Sequence, residues 1–246
     1  MKLICQSELP EDMRVERALP GVQPLNMADW LHVDDVYAAQ MQERLSLMET
    51  CRDEVCAQMA CSEDACHEAC ELVVEYARCK DGFSQEGTQM RCPDGRVISL
   101  TDDPLIVMGA LVQEDMCILQ KPNGADEHTL SAAILCFPSL WTLSEKLGLP
   151  MGRIHAPVDE YNVDIARRVQ RLCDGVKVGR PLWRFNFGHA GPELFQPRAE
   201  KDFSRDPIEG AQKYQRAERQ SLIRLPKTDA ILFSIHTYVV KPRVVG

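Results

Sequence analysis

Residues 134–161 read ILCFPSLWTLSEKLGLPMGRIHAPVDEY, and this stretch decides how the rest of the chain is interpreted. An apolar run at its start is typical of a strand, Pro138 breaks that run, and a helix is expected from Leu140 to Leu147. The stretch then reaches His155, which lies between an apolar residue and a proline-containing turn. Fixed backbone geometry and an apolar surround favour a neutral imidazole, which is a good metal ligand. His155 is therefore a candidate ligand, and a hydrogen-bonded buried histidine is the alternative.

The segments on either side of this stretch predict a sheet with helices inserted in it. Short apolar runs joined by the loop KPNGADEHT are typical of adjacent antiparallel strands, and an alternating run and a hairpin pattern follow further on. An amphipathic helix with arginines on its exposed face separates the two groups. The expected strands are Met116–Gln120, Ala132–Phe137, Pro181–Gly188, Ser221–Leu225 and Ala230–Val240, and the helix is Val163–Leu172. The order of two strands, helices and three strands predicts the α+β class.

The first 110 residues have a different pattern. Residues 1–26 contain three prolines and are expected to form an extended arm. Helical spacing begins near Val36, and residues 50–80 are expected to continue as helix because they lack glycine and proline. Turn residues between Asp81 and Asp103 leave room for at most one short strand or hairpin. We therefore divide the chain into residues 1–110, an arm and helical region packed on the core, and residues 111–246, the sheet domain.

Composition excludes some classes of function. The net charge of −9 and the pI near 5.2 argue against a nucleic-acid surface. No apolar run approaches the roughly eighteen residues that a membrane helix needs, and the N-terminal apolar stretch is too short for a signal-peptide core. A cytoplasmic location without membrane contact is the resulting expectation.

Eleven cysteines are interpreted by their spacing. No C-x-x-C pair is present, so the sequence does not match the patterns of structural zinc or ferredoxin-type iron–sulfur sites. Reduced thiols on a helix in a reducing compartment are the expected state. The alternative is a redox or thiol-binding role for Cys66-His67-x-x-Cys70, whose cysteines are one helical turn apart.

The strings F-P-S-x-W, K-L-G and I-H-x-P-V, followed by a tyrosine, resemble the haem-dependent oxidative N-demethylase alpha-subunit family. The similarity extends from about Trp30 to Tyr238. The resemblance implies a PAS-like antiparallel sheet of five strands with connecting helices, plus the N-terminal helical region, and haem b bound to it. It also implies oxidation of a small methylated amine with O₂ to release formaldehyde. No flavin, nicotinamide or iron–sulfur motif is present, so electrons are expected from a separate electron-donor protein.

The resemblance also implies roles for individual residues. His155 becomes the iron ligand. Arg153 and Arg184 become candidates for the haem propionates, since guanidinium groups bind carboxylates in bidentate fashion, although solvated surface arginines are the alternative. The string R-F-N-F, which contains Arg184 and Asn186, resembles the family's R-x-N-W and adds Asn186 and its neighbour Trp183 to the cofactor site. The other histidines His32, His67 and His128 lie in polar contexts and are expected to be solvated.

An alkylammonium substrate needs a carboxylate to hold its charge and aromatic walls to exclude water. Glu218, in the family-like string R-x-E-R-Q, is the candidate carboxylate; the alternative is a structural ion pair with Arg216 or Arg219. Tyr161 is the candidate wall, and aromatic packing in the core is its alternative.

Three departures from the family pattern bear on the function. His236 stands where arginine is expected in F-x-I-R-T-Y, which removes a propionate salt bridge or places a second imidazole near the pocket. Asp159 replaces a proline after His155, and Phe187 replaces a tryptophan. The rival hypothesis is accordingly a non-catalytic haem- or small-ligand-binding PAS module, a sensor or carrier. A homo-oligomer is left open by the sequence.

Overall fold

A computed structural model describes residues 3–13, 21–155, 163–202 and 214–241, with side chains at all of these except residues 163–166 and 189–190. The helices are α1 (Tyr37–Thr50), α2 (Arg52–Val55), α3 (Glu63–Ala77), α4 (Pro104–Leu111), α5 (Leu143–Lys146), α6 (Met151–Ile154) and α7 (Val163–Gly175). The strands are β1 (Gln23–Pro24), β2 (Cys56–Gln58), β3 (Ser84–Glu86), β4 (Gln89–Arg91), β5 (Val97–Ser99), β6 (Asp115–Gln120), β7 (Thr129–Ile134), β8 (Leu182–Ala190), β9 (Tyr214–Arg224) and β10 (Ile231–Val240).

The main sheet is antiparallel and has the strand order β1-β8-β9-β10-β6-β7-β2. The predicted α+β class and the predicted β9–β10 hairpin are confirmed; the turn of that hairpin includes Asp229, whose φ of 55° is tolerated by a short polar side chain. The central strand β10 pairs with β9 over ten residue pairs, from Ile231–Arg224 to Val240–Gln215. On its other side β10 pairs with β6, from Ile231–Leu119 to Ile235–Asp115, so strands far apart in sequence meet in the middle of the sheet.

The predicted count of five strands is too low, because the N-terminal region adds two short strands at the sheet edges. Strand β2 pairs with β7 where a continuous helix was expected. Helix α1 ends before Cys51, whose φ of −133° is not helical. After the short helix α2, residues 56–58 supply hydrogen bonds to the exposed edge of β7. Pairing of an open edge outweighs the modest helix propensity of such a segment. A second sheet, β3-β4-β5, occupies residues 84–99, where at most one hairpin was expected.

The main sheet is covered on both faces. One face, which includes Ile118, Ile134 and Leu232, packs against α1, α3 and α4; we call it the N-terminal face. The other, which includes Leu135 and Ile235, packs against α5, α6 and α7; we call it the connector face. The sequence pattern of β10 predicted the alternation of its side chains correctly, but its polar side, with Ser234 and His236, is buried as well.

A buried ion pair fixes α1 to the sheet. Arg44 Nη1 lies 2.6 Å from Asp115 Oδ1, and both side chains are almost fully buried. The same guanidinium donates to three backbone carbonyls that precede β6, and the Asp115 carboxylate accepts the backbone N–H groups of Cys136 and Phe137 at 2.7 and 2.9 Å. Each nitrogen of this guanidinium and each oxygen of the carboxylate therefore has a hydrogen-bond partner, as burial of charge requires.

Candidate functional site

Polar side chains from β8, β9 and β10 form a patch on the connector face. In the strand register Asn186 lies opposite Glu218, and Glu218 lies opposite Thr237. Directly opposed residues of antiparallel strands point to the same face, so these three form one row across the sheet. The adjacent row contains Arg184 and Gln220. The structure thus brings Arg184, Asn186 and Glu218 together, three of the residues that the sequence predicted for the site.

The Glu218 carboxylate is held by neighbours on both sides. Its Oε2 atom accepts hydrogen bonds from Asn186 Nδ2 at 3.2 Å and Gln220 Nε2 at 3.1 Å. Its Oε1 atom lies 3.7 Å from Arg216 Nε. Its side chain is 12% exposed. A partly buried carboxylate fixed in this way is oriented before any ligand arrives, and it keeps further acceptor capacity because a carboxylate offers about four lone-pair sites.

Two arginines surround this carboxylate and differ in their roles. Arg216 is a structural anchor, since it donates to Phe137 O at 2.6 Å and Leu194 O at 3.1 Å. Arg184 is half-buried, and burial lowers its pKa although the charge of Glu218 opposes that effect. Arg219, the other ion-pair partner expected for Glu218, lies on the N-terminal face and pairs with Asp12 at 2.8 Å.

Three buried polar atoms of this patch have no hydrogen-bond partner within the described part of the chain. They are Arg184 Nε, Arg216 Nε and Thr237 Oγ1. Buried polar groups in native proteins almost always find partners, so such atoms need an explanation. The Arg184 Nε–H and the Thr237 hydroxyl suit an anionic group such as a carboxylate, whereas Arg216 Nε lies 3.7 Å from Glu218, whose own carboxylate suits a cation.

His155 follows α6, the short helix that packs on the connector face. Its Nδ1 atom lies 2.9 Å from Met151 O, so Nδ1 carries the proton that is donated and Nε2 carries the lone pair. Burial lowers the pKa of His155, the hydrogen bond to Met151 opposes this, and the charges of Lys146 and Arg184 lower the pKa further. A neutral imidazole with its Nδ1–H bonded to a carbonyl is the usual form of a metal-ligating histidine.

Arg153 lies half-exposed at the surface, where it pairs with Glu200 at 2.9 Å. Tyr161 lies outside the described residues, as does Asp159.

Trp183 and His236 are not part of the patch around Glu218. Strand alternation places both on the N-terminal face, where the Arg219 guanidinium lies 3.7 Å from the centre of the Trp183 ring. His236 is enclosed by two carboxylates, with Nε2 3.1 Å from Asp34 and Nδ1 3.0 Å from Glu114. The expectation that these residues line one pocket with Glu218 is therefore corrected: the sheet itself separates the two groups.

The environment of His236 was missed by the sequence reasoning. Burial by itself lowers the pKa of His236, but Glu114 and Asp34 outweigh it and raise the pKa to about 9. Nothing in the sequence pairs Asp34, near the start of the chain, with His236 on a strand near its end. Because the carboxylates of Asp34 and Glu114 both face position 236, a cation suits this position, whether it is an arginine or a histidinium.

His32 and His128 were expected to be solvated, and the structure corrects both. His128 is buried and its backbone N–H donates to Gln170 Oε1 at 3.0 Å. His32 accepts a hydrogen bond from Tyr238 Oη at 2.7 Å, and its Nε2 donates to Asp29 O at 3.1 Å. Burial, followed by the charge of His236, lowers the pKa of His32 to about 4. His67 is exposed, as predicted.

A cleft of about 600 Å³ lies beside His32, on the N-terminal face of the sheet. Its walls include His32, Trp183, Arg219, Lys80 and Asp12. The cleft is thus separate from the patch around Glu218.

The cysteines are all free thiols. Burial raises the pKa of Cys66 to about 11 and that of Cys70 to about 12, so both remain protonated at neutral pH and are poor nucleophiles. Among the residues that the structure describes, no group of three or more His, Cys, Asp or Glu side chains is arranged to hold a metal ion.

Comparison with known protein families gives one match that covers nearly the whole chain. The sequence model described as "Haem-dependent oxidative N-demethylase, alpha subunit-like" matches residues 21–245. The chain belongs to this family. Membership in the N-demethylase alpha-subunit-like family confirms the resemblance found in the sequence, and the family's description names haem-dependent oxidation and an alpha subunit. Within the described ranges, no helix is both long and apolar enough to cross a membrane.

Proposed function

We propose that the protein is a haem-dependent oxidative N-demethylase-like monooxygenase that acts on a small methylated amine and releases formaldehyde. The observation that carries the proposal is the Glu218 carboxylate, which Asn186 and Gln220 hold on the connector face beside Arg184. Family membership supports the haem-dependent chemistry, and this arrangement supplies a cation site for the amine.

The residues of the connector face fit haem b in their chemistry. His155 has the tautomer and the neutral state that an axial iron ligand needs, with its lone pair on Nε2. Arg184 offers a buried Nε–H, without a partner among the described residues, to a propionate. Haem b, when bound, supplies the oxidation of the N-methyl group by O₂, while the protein supplies binding and orientation. Arg153 is proposed as a second propionate partner. To bind a propionate it would have to break its ion pair with Glu200.

Glu218 would bind the alkylammonium of the substrate. A carboxylate that is partly buried attracts a cation more strongly than one in water, because the effective dielectric constant is lower. Asn186 and Gln220 keep the carboxylate in place, so little reorganisation is needed when the amine binds. Tyr161 is proposed as an aromatic wall that excludes water.

The central strands β6 to β10, with three helices between β7 and β8, are proposed to form a PAS-like core. In that view residues 111–246 form the haem domain, and residues 1–110 cover its other face and add the edge strands β1 and β2. A cytoplasmic location and a separate electron-donor protein complete the proposal.

Haem binding is tested by reconstituting the purified protein with haem b and recording its absorption spectrum. We expect a Soret band that is lost or shifted when His155 is replaced by Ala. His67→Ala is the matched control, because His67 is an exposed histidine on α3. An unchanged spectrum in His155→Ala would remove His155 as the iron ligand.

Substrate binding is tested by titrating a small methylated amine into the ferric protein. Glu218→Gln keeps the shape of the side chain and removes its charge, which should weaken amine binding by about ten- to a hundred-fold, since a charge-assisted contact contributes roughly 1.5–3 kcal/mol. Glu86→Gln, at an exposed position in β3, is the control. With a reductant and O₂, the wild type should release formaldehyde. If the protein binds haem but its spectrum does not respond to any amine, the hypothesis of an enzyme would be rejected in favour of a non-catalytic haem-binding module.

A further inference from the structure

Positive charge is concentrated on one part of the surface of this acidic protein. Residues 167–180 contain five cations and a single carboxylate, in a chain whose net charge is −9. The five are exposed: Arg167, Arg168, Arg171, Lys177 and Arg180. The carboxylate, Asp174, is paired with Lys121 at 3.0 Å, so it adds a neutral pair and does not cancel the other five. The resulting potential is opposite in sign to the net charge of the molecule.

The sheet holds this segment in a fixed position. Arg224 of β9 is buried and donates to Cys173 O in the last turn of α7, with Nη2 at 2.7 Å, and to Val176 O just after the helix, with Nε at 3.1 Å. The guanidinium therefore caps the C-terminus of the helix, where positive charge is favourable. A turn follows, in which Arg180 N donates to Lys177 O at 2.9 Å and Gly179 has a φ of 72°. Val178, 53% exposed, forms the tip of this turn.

The inner side of the same helix lies against the connector face. Val169 and Cys173 pack with Leu182, Leu222 and Ile235 of the sheet. An α-helix with its side chains is about 10–12 Å across, so the arginines on its outer side lie about one helix diameter from the sheet face that carries the patch around Glu218. An electron carrier bound on these arginines would be separated from the proposed haem face by this one layer of helix.

We propose that the basic surface formed by residues 167–180, the described part of α7 and the turn after it, is the docking surface for an acidic one-electron-carrier protein. The inference rests on the proposed function, which requires electrons from outside the chain. Charge complementarity selects both the partner and its orientation: the acidic remainder of the surface repels an acidic carrier, and this face attracts it. The exposed Val178 supplies an apolar contact at the edge of a basic surface.

The test measures binding of a strongly acidic [2Fe–2S] ferredoxin by calorimetry at low and at moderate ionic strength. The variant Arg167→Glu, Arg168→Glu, Arg171→Glu reverses three exposed charges and should bind the ferredoxin roughly 10- to 100-fold more weakly than the wild type. The matched control, Arg52→Glu, Arg78→Glu, Arg91→Glu, makes the same change in net charge at exposed positions of the N-terminal region and should bind within about threefold of the wild type. Raising the ionic strength should weaken binding of the wild type and the control more than that of the α7 variant.

Three results would overturn the proposal. The first is no detectable ferredoxin binding by the wild type at low salt, and the second is an equal loss of binding in both triple variants. The third is a wild type that sediments as a dimer at low salt and becomes monomeric in the α7 variant while ferredoxin affinity stays the same, which would make this face a contact between copies of the chain. The calorimetric measurement of ferredoxin binding does not depend on haem. Failure of the haem reconstitution would therefore count against the proposed function, whereas failure of ferredoxin binding would count against the docking surface.

Discussion

His236 Nδ1 lies 3.0 Å from Glu114 Oε1, and this contact joins the central strand β10 to the residue that precedes β6. On its other side His236 Nε2 lies 3.1 Å from Asp34 Oδ2, just before α1. A buried imidazolium thus connects the sheet with the N-terminal helical layer. Its two carboxylates make the cation necessary, because removing it would leave one buried and one largely buried negative charge without their cation.

The stability of the protein should therefore depend on pH through His236. The folded-state pKa is raised to about 9 from an ordinary value of 6.5, so this contribution is fully present below about pH 6.5 and is lost as the pH rises through 9. The corresponding free energy is about 3 kcal/mol at most. The free energy of unfolding, measured in urea from pH 6 to 9.5, should fall with pH in the wild type. His236→Arg retains a cation and should remove most of this slope; an equal slope in the variant would assign it to other groups.

Acid should act on the same cluster at much lower pH. Burial raises the pKa of Asp34, but the hydrogen bonds and charge of His236 outweigh this and lower it to about 2. A depressed pKa contributes stability that is present above the unfolded value near 3.8 and is lost as the pH falls towards 2. Asp34→Asn should flatten the urea stability profile between pH 4 and 2. Loss of stability already at pH 5 in the wild type would contradict this assignment.

Replacing Arg44 by Met should destabilise the fold by about 3–5 kcal/mol, because Asp115 would remain as a buried charge without its cation. Three backbone carbonyls would lose their donors as well. Equilibrium unfolding in urea measures the effect. Arg52→Met, at an exposed position of α2, is the control and should change stability by less than about 0.5 kcal/mol. A loss below 1 kcal/mol for Arg44→Met would mean that the pair is dispensable.

Gly109 lies inside α4, where helix propensity favours Ala by about 1 kcal/mol. A Cβ atom there would lie 2.7 Å from Ile134 Cγ1 and 2.8 Å from Met48 Sδ. Since Ile134 is fully buried in the sheet, overpacking should outweigh propensity, and Gly109→Ala should cost roughly 1–2 kcal/mol net. Gly175→Ala, at the end of α7 with no described atom within 4 Å of a Cβ, should be neutral or stabilising. Urea denaturation of both variants tests which effect dominates.

Replacing Arg224 by Met should loosen the end of α7. Its guanidinium donates to Cys173 O, Val176 O and Asp229 O, and Met offers no donor to these buried carbonyls. We expect a loss of about 1–3 kcal/mol in stability, with faster amide hydrogen exchange confined largely to the last turn of α7 and the turn after it. Uniformly faster exchange across the sheet would instead indicate global destabilisation without a local role in capping.

Most of the sheet domain was predictable because its signals are local. Alternation in Pro181–Gly188 and the hairpin around Asp229 are patterns of period two and of turn chemistry, and both are found in the fold, the first as β8. Strand β2 was not predictable in the same way, since residues 56–58 have a composition typical of a helix and become a strand by pairing with β7. Propensity is a weak preference, and a distant sheet edge decided the outcome.

The sequence by itself determined the α+β class, the family and the residue types of the candidate site: a histidine near a proline, an arginine and an asparagine on one strand, and a glutamate. Only the structure extends the next strand back to Tyr214 and so places Glu218 on it. The tertiary structure decided which of them meet. Asn186 and Glu218 share a face because the register of β8 and β9 places them opposite each other. Trp183 and His236 lie on the other face, and His236 there meets Asp34, two hundred residues earlier. Alternation in a strand fixes which side chains share a face, but which face is covered by which helices, and which buried charges meet, depends on packing between segments far apart in the chain.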